Sequence, residues 1–276
     1  MIILVTGASS GIGFDAARTL ARKGHTVYAA ARRTALMEPL KADGIIPLYL
    51  DVCDESSMEA CVAAAGAVDV LINNAGYGYF APLECASMED ARRQIEVNVF
   101  GLARLCQLVL PGMRERGHGR IINVGSVAGH APMYFGGWYN VSKYSVTAFS
   151  DALRMEMKPF GIQVVLIEPG PIRTNWGIIA ADHLADSAQG TAYSEAALRE
   201  AAVMRKGYSL KALSAPSVVT RRIVKAVCSR RPRTHYRPGV GASSIVFWHT
   251  ILPTRWWDAL MRVLGSPWLA RFAEKL

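Results

Sequence analysis

The sequence predicts an α/β fold: a single-domain, doubly wound parallel sheet covered by helices on both faces, with a helical C-terminal extension. Three observations predict it. Short β-branched apolar runs alternate with helical patterns over most of the chain, as right-handed strand–helix–strand units require. Those runs are nearly continuous in their apolarity rather than alternating, which marks strands buried on both faces. No internal repeat, linker or low-complexity tract divides the chain.

Taken in order, residues 2–5 (IILV) are the first strand and about 11–22 the first helix. Residues 25–31 (HTVYAAA) and 45–50 (IIPLYL) are the second and third strands. Residues 56–65 (SSMEACVAAA) form a helix, and 68–74 (VDVLINN) the fourth strand. One long helix is predicted over about 88–115, then a fifth strand over 120–126 (RIINVGS). A helix opens near Tyr139 and ends before Gly161, and 162–170 (IQVVLIEPG) is the sixth strand. Residues 234–239 (THYRPG) offer a short seventh. The stretch 175–215 and everything beyond Gly239 break this rhythm.

Composition excludes several classes. Of 276 residues 51% are hydrophobic and 19% charged, which is a globular balance and not a disordered one. The opening MIILVTG lacks a basic n-region and reads as a buried strand, not a signal peptide. No run of 18 apolar residues escapes a charge or proline, so no spanning helix is expected. The cysteines (Cys53, Cys61, Cys85, Cys106 and Cys228) are odd in number and none stands in a CxxC pair. Reduced thiols in a cytoplasmic setting are expected, and no metal site. The net charge is +9, unevenly placed: from Arg205 onward 14 Lys/Arg stand against 2 Asp/Glu, and before it 17 against 20.

The segment TGASSGIG, residues 6–13, joins the first strand to the first helix. Gly7, Gly11 and Gly13 permit a tight turn and close backbone approach, and the helix N-terminus favours a pyrophosphate. The spacing is TGxxxGxG. With it the chain resembles the short-chain dehydrogenase/reductase family, and the resemblance repeats along residues 1 to about 240. NNAG closes the fourth strand, Asn98 lies mid-helix in EVNVFG, and Ser126 ends the fifth strand. Tyr139 and Lys143 form YxxxK, and PGPIRT (169–174) follows the sixth strand. The expected fold is therefore Rossmann-type, with residues 1–240 as the dinucleotide-binding and catalytic domain.

Tyr139 and Lys143 are four residues apart, so on a helix they share one face. A phenol titrates near 10 in water, and a neighbouring ammonium favours the phenolate and lowers that value. The resemblance implies the roles. Tyr139 exchanges a proton with the substrate oxygen, and Ser126 orients that oxygen. Lys143 supports Tyr139 and holds the nicotinamide ribose, and Asn98 anchors a proton-relaying water. A buried asparagine at a helix kink is the plainer reading of Asn98.

For the cofactor, an acid at the end of the second strand would bind a ribose 2′-OH and favour NAD. Here Ala31 occupies that place, followed by Arg32 and Arg33. Arginine suits a 2′-phosphate. NADP(H) is expected over NAD, with Arg32 the main contact. By resemblance Ser9, Ser10 and Ile12 belong to the phosphate turn, and Asp51 and Val52 meet the adenine. Asn74, Ala75 and Gly76 pack on the adenosine, and Pro169, Gly170, Ile172 and Thr174 face the nicotinamide end.

Loops 77–83 (YGYFAPL) and 127–138 (VAGHAPMYFGGW) are aromatic and apolar, with His130 a loop residue and no arginine placed to clamp an anion. A small hydrophobic alcohol or ketone is the expected substrate, bound at Ser126 and Tyr139, with residues 175–213 as a helical lid. The stretch 153–174 (LRMEMKPFGIQVVLIEPGPIRT) resembles hydroxysteroid and retinol dehydrogenase-like members more than the acyl-carrier reductases. The tail, 241–276, is amphipathic, basic and rich in tryptophan: Trp248, Trp256, Trp257 and Trp268 stand among Arg255, Arg262, Arg271 and Lys275. It packs on the body or over the pocket, forms a homo-oligomer interface, or docks on an anionic membrane. No nucleic-acid partner is expected. Against the enzyme stand a dehydratase or epimerase, whose TGxxGxxG spacing this chain lacks, and a non-catalytic NADP(H) sensor acting through a partner.

Overall fold

The computed structural model describes residues 1–210 and 213–264. Its strands are β1 (Ile2–Thr6), β2 (Thr26–Ala31), β3 (Ile46–Tyr49), β4 (Val70–Asn73), β5 (Gly119–Val124), β6 (Ile162–Ile167) and β7 (His235–Tyr236). Between them run α1 (Gly11–Ala21), α2 (Glu55–Ala65), α3 (Met88–Ile95), α4 (Gly101–Arg116), α5 (Gly137–Met157), α6 (Trp176–Ser187), α7 (Ser194–Ser209) and α8 (Pro216–Cys228). The chain continues through α9 (Ala242–Ile251) and α10 (Thr254–Leu264). The tail residues Trp268, Arg271 and Lys275 lie outside the described residues.

The strands pair in parallel in the order β3-β2-β1-β4-β5-β6-β7. Ile3 pairs with Val27 on one side and Val70 on the other, so the order reverses between β1 and β4. A crevice opens beyond the carboxyl ends of the strands at such a reversal. Both faces of the sheet are dry. Ile3 and Val5 join Leu20, Ile122 and Ile223 in one core, under α1 and α8. Leu4 points the other way, into a second core with Leu71, Leu105, Ile121 and Val146, under α2, α4 and α5. Successive side chains on a strand alternate faces, so two buried faces require the continuous apolar runs seen in the sequence.

Three local features differ from the sequence prediction. The crossover from β2 to β3 is a 3-10 stretch, Thr34–Asp43, with Pro39 inside it; proline lacks the N–H that a regular α-helix needs there. The long helix is interrupted by a π turn, Glu96–Phe100, between α3 and α4. By length and apolarity the 29 residues Met88–Arg116 could cross a bilayer, but Leu102, Leu105, Val109 and Met113 are committed to the core beneath the sheet. Finally, α8 was not assigned from the sequence. Its buried stripe Val219, Ile223, Ala226 and Val227 has helical spacing, and Pro216 suits its first turn.

Over the strand ends, α6 and α7 pack on each other and on Phe80, Phe135 and Tyr139.

Candidate active site

The glycine turn is fixed by backbone crowding. Gly7 and Gly11 hold φ of 64° and 58°, the left-handed region that favours glycine. A Cβ on Gly7 would stand 2.8 Å from the Ala75 Cα, and one on Gly13 would stand 2.6 Å from the Gly7 carbonyl oxygen. The turn is braced from the neighbouring strand. Thr6 Oγ1 accepts the N–H groups of Asn74 and Ala75, each at 3.0 Å. Asn74 Nδ2 donates to the carbonyls of Thr6 and Gly7, at 3.0 and 3.2 Å. Ser10, the N-cap of α1, makes no side-chain capping bond, and no acid stands in the first turn. The helix therefore presents N–H groups with no side-chain acceptor, which fits the pyrophosphate of a dinucleotide.

A cavity of about 1040 Å³ runs along the strand ends. Its wall brings together Gly7, Ser9, Ser10, Gly11 and Ile12 from the first turn, Arg32 and Arg33 after β2, and Asp51 and Val52 after β3. It continues through Asn74, Ala75 and Gly76 after β4, Ser126 after β5, and Tyr139 and Lys143 from α5. Pro169, Gly170, Ile172 and Thr174 follow β6. Of the residues singled out in the sequence, Gly13 and Asn98 stand behind this wall.

Ser126 caps a short 3-10 turn, Val127–Gly129. Its Oγ accepts the Ala128 N–H at 3.1 Å and donates to the Pro169 carbonyl at 3.5 Å. Tyr139 and Lys143 are buried one turn apart on α5. Lys143 Nζ donates to the Val124 carbonyl at 3.0 Å and lies 5.9 Å from the centre of the Tyr139 ring. The expected lowering of the Tyr139 phenol is not what this arrangement gives. Burial pushes the phenol up to about 12, against the opposing hydrogen bond with Ser126. Burial also pulls Lys143 down to about 8. Desolvation disfavours the charged form of each group and sets both directions, while the ammonium hydrogen bonds the strand carbonyl of Val124.

Asn98 sits buried in the π turn with both amide hydrogens committed. Nδ2 donates to the Tyr77 carbonyl at 2.9 Å and to Ser142 Oγ at 3.0 Å, and Oδ1 accepts the Tyr77 N–H at 3.1 Å. It thereby ties the segment after β4 to α5, one residue from Lys143. A Cβ on Gly76 would lie 3.0 Å from Asn98 Oδ1 and 3.9 Å from Lys143 Nζ. These two groups flank the backbone that enters the site.

Several wall residues were not singled out in the sequence. The ring of Trp176 lies 5.0 Å from that of Tyr139 and Tyr208 lies 6.1 Å from Trp176, while Phe80, from the 77–83 loop, lies buried behind the wall 5.7 Å from Tyr139. Gly78 and Gly177 make room for this ceiling: a Cβ on them would come within 2.3 Å of Trp176 and 2.2 Å of Tyr208. The signal in the sequence is a glycine beside each aromatic, in YGY and NWG. Arg93, on α3, and Arg173, after β6, also line the cavity. The absence of arginine expected from the two apolar loops is therefore true of those loops and not of the whole wall.

Beside Ser126, a charged cluster anchors the end of β6. Glu168 is fully buried and accepts hydrogen bonds from His130, from His235 Nδ1 at 3.1 Å and from Arg237 Nε at 3.1 Å. Burial alone would raise this carboxyl, but the bonds from His130 and His235 outweigh burial and hold it at about 2. The same contact with Glu168 raises His235.

Residues 1–182 match the family model described as short chain dehydrogenase. The chain belongs to the short-chain dehydrogenase/reductase family. Among curated members it is 36% identical to a probable short-chain type dehydrogenase/reductase of Helicobacter pylori, over 95% of this chain and 96% of that one. It is 37% identical to a 3-ketodihydrosphingosine reductase of Bacteroides thetaiotaomicron, over 63% and 65%. Among solved structures, a serine dehydrogenase complexed with NADP+ is 30% identical at a TM-score of 0.75, covering 87% of this chain and 94% of that one. A short-chain dehydrogenase/reductase from Burkholderia phymatum in complex with NAD is 27% identical at 0.73, covering 84% and 87%.

The Glu168 cluster gives this dehydrogenase-family chain a defined acid limit. A carboxyl held at about 2, below the usual 4.5, contributes stability that is complete above 4.5 and lost as pH falls toward 2. The raised His235 has the opposite sign: its contribution is complete below 6.5 and lost as pH rises through its folded value. In urea unfolding, the native chain should lose stability between about pH 5 and pH 3. Glu168→Gln should be less stable at pH 5 by about 2 kcal/mol and have a shallower acid slope than the native chain. Parallel acid slopes in the two proteins would contradict the assignment.

Proposed function

We propose that this chain is an NADP(H)-dependent oxidoreductase acting between a hydrophobic alcohol and its carbonyl compound. The observation that carries this reading is the placement of Ser126, Tyr139 and Lys143 on the same cavity wall as the glycine turn and Arg32–Arg33. When bound, the nicotinamide cofactor supplies or accepts the hydride. The chain's own residues bind, orient and move the proton.

In the reducing direction, Ser126 Oγ orients the substrate oxygen and the Tyr139 phenol donates its proton to it. A phenol held at about 12 is protonated near neutrality and so carries the proton to be given, and its release depends on a neighbouring positive charge that favours the phenolate. Lys143, at about 8, is mostly charged at pH 7 and stabilises the phenolate that proton donation leaves behind. Asn98 fixes the approach of the Gly76–Tyr77 backbone to this pair. The aromatic ceiling of Trp176 and Tyr208, with Phe80 behind it, keeps the reacting oxygen away from bulk water.

Preference for NADP(H) over NAD rests on Ala31, where an acid would hold a ribose 2′-OH, and on the two exposed arginines that follow. Arg33 Nη2 lies 3.3 Å from Ser9 Oγ, at the phosphate turn, and Arg32 is the main 2′-phosphate contact. The NADP+ complex of the serine dehydrogenase supports this preference, and the NAD complex keeps the other cofactor in the comparison. The apolar ceiling and Met133 support a hydrophobic substrate, as does the 3-ketodihydrosphingosine reductase among the relatives. Residues 1–240 form the binding and catalytic unit, with 175–213 as its lid and 241–276 as an extension. The protein works in the cytoplasm, free or peripheral at a membrane surface, as a homo-oligomer.

Tyr139→Phe removes the proton donor and leaves the cofactor wall intact. Turnover of a hydrophobic ketone should fall about a thousandfold while NADPH affinity stays within about twofold. Retained turnover would overturn the mechanism. Arg32→Asp should lower the ratio of kcat/KM with NADPH to that with NADH by about tenfold or more, the worth of a charge-assisted contact. An unchanged ratio would remove Arg32 from the 2′-phosphate site.

A further inference from the structure

We propose that α9 and α10 dock the protein on an anionic lipid bilayer, with the substrate cavity opening beside the docked face. The two helices have distinct inner and outer sides. Inward, Ile245, Trp257 and Met261 line the cavity, and His249 of α9 packs edge-on against Trp257 of α10 at 4.9 Å. Outward, the side chains are large and apolar. Phe247 is 56% exposed, Trp248 49% and Ile251 53%; on α10, Trp256 is 69% exposed and Val263 50%. Trp256, Leu260 and Val263 recur at i, i+4 and i+7, one stripe of a helix. Arg255 and Arg262 run beside that stripe, with Asp258 the acid between them.

Charge decides the occupant. A two-fold contact with a second copy would set one net-positive patch against another, with Asp258 the acid on each side to answer Arg255 and Arg262. A bilayer containing anionic lipid offers the opposite charge to those arginines and an interface in which tryptophan is at home. The whole segment from Arg205 is basic, 14 Lys/Arg against 2 Asp/Glu, whereas the preceding residues balance slightly acidic. The exposed aromatics thus belong to the part of the chain that carries the excess positive charge, which favours an anionic surface. That an apolar substrate then enters the cavity from the membrane rests on the function proposed above; docking itself does not.

The test is co-sedimentation of the full chain with vesicles of phosphatidylcholine, with and without a third of phosphatidylglycerol. Binding is expected to the anionic vesicles and to weaken with salt. Arg255→Ser with Arg262→Ser should weaken it about 30-fold, roughly fivefold for each surface cation. Phe247→Ser, Trp248→Ser and Trp256→Ser together should abolish it at an unchanged thermal midpoint, because these side chains are exposed. Equal binding by these variants and the native chain, or no binding by the native chain, would overturn the proposal. So would a dimer abolished by the aromatic triple variant in the absence of vesicle binding, which would make a second copy the occupant. None of these readouts depends on turnover, so failure here leaves the oxidoreductase reading standing.

Discussion

The site depends on one close approach: the turn after β1 lies against the backbone after β4 with no room for a side chain between them. Gly7 meets Ala75, Gly13 meets Gly7, and Thr6 and Asn74 bond across the gap. This contact sets where α1 begins and thus where its N–H groups point. It also sets the course of Asn74–Gly76, which leads to Tyr77. Tyr77 is held by Asn98, and Asn98 by Ser142 on the helix that carries Tyr139 and Lys143. A continuous series of hydrogen bonds and backbone contacts therefore joins the dinucleotide end of the cavity to the proton-donating end.

The second constraint is dryness. Tyr139 and Lys143 are both buried, Tyr139 against Phe80 and Trp176, and burial drives their acidities apart, the phenol up to about 12 and the ammonium down to about 8. Desolvation is the largest influence on each group, so the resting pair is a neutral phenol beside a lysine that holds its proton less tightly than in water. That state is ready to donate to a carbonyl. A phenolate formed in the same dry space would be stabilised strongly by the nearby ammonium, because attraction between charges grows as water is excluded. The aromatic ceiling thus shapes the pocket and the proton chemistry together.

Much of this was legible in the sequence because it is local. Continuous apolar runs gave the parallel sheet, and TGxxxGxG, NNAG, YxxxK and PGPIRT each sit at a strand end or helix start, as the fold requires. The spacing of Tyr139 and Lys143 fixed their shared helix face. It carries no information about depth of burial or about the Val124 carbonyl that captures Nζ, and so the direction of the phenol shift does not follow from it. The π turn at Asn98 was hidden because the apolar pattern continues through it, and α8 because its arginines mask its buried stripe. Trp176, Tyr208 and the Glu168 cluster are brought to the site by contacts between residues far apart in the chain, which periodicity cannot reveal.

The central claim is that the cavity takes a dinucleotide with its 2′-phosphate beside Arg32 and its nicotinamide beside Tyr139. Calorimetric titration of the native chain with NADPH and, separately, with NADH tests it most directly. NADPH should bind at one site per chain, about tenfold or more tighter than NADH, as a charge-assisted contact to one phosphate implies. Tighter binding of NADH would contradict the role given to the arginines, and no binding of either would contradict the site itself.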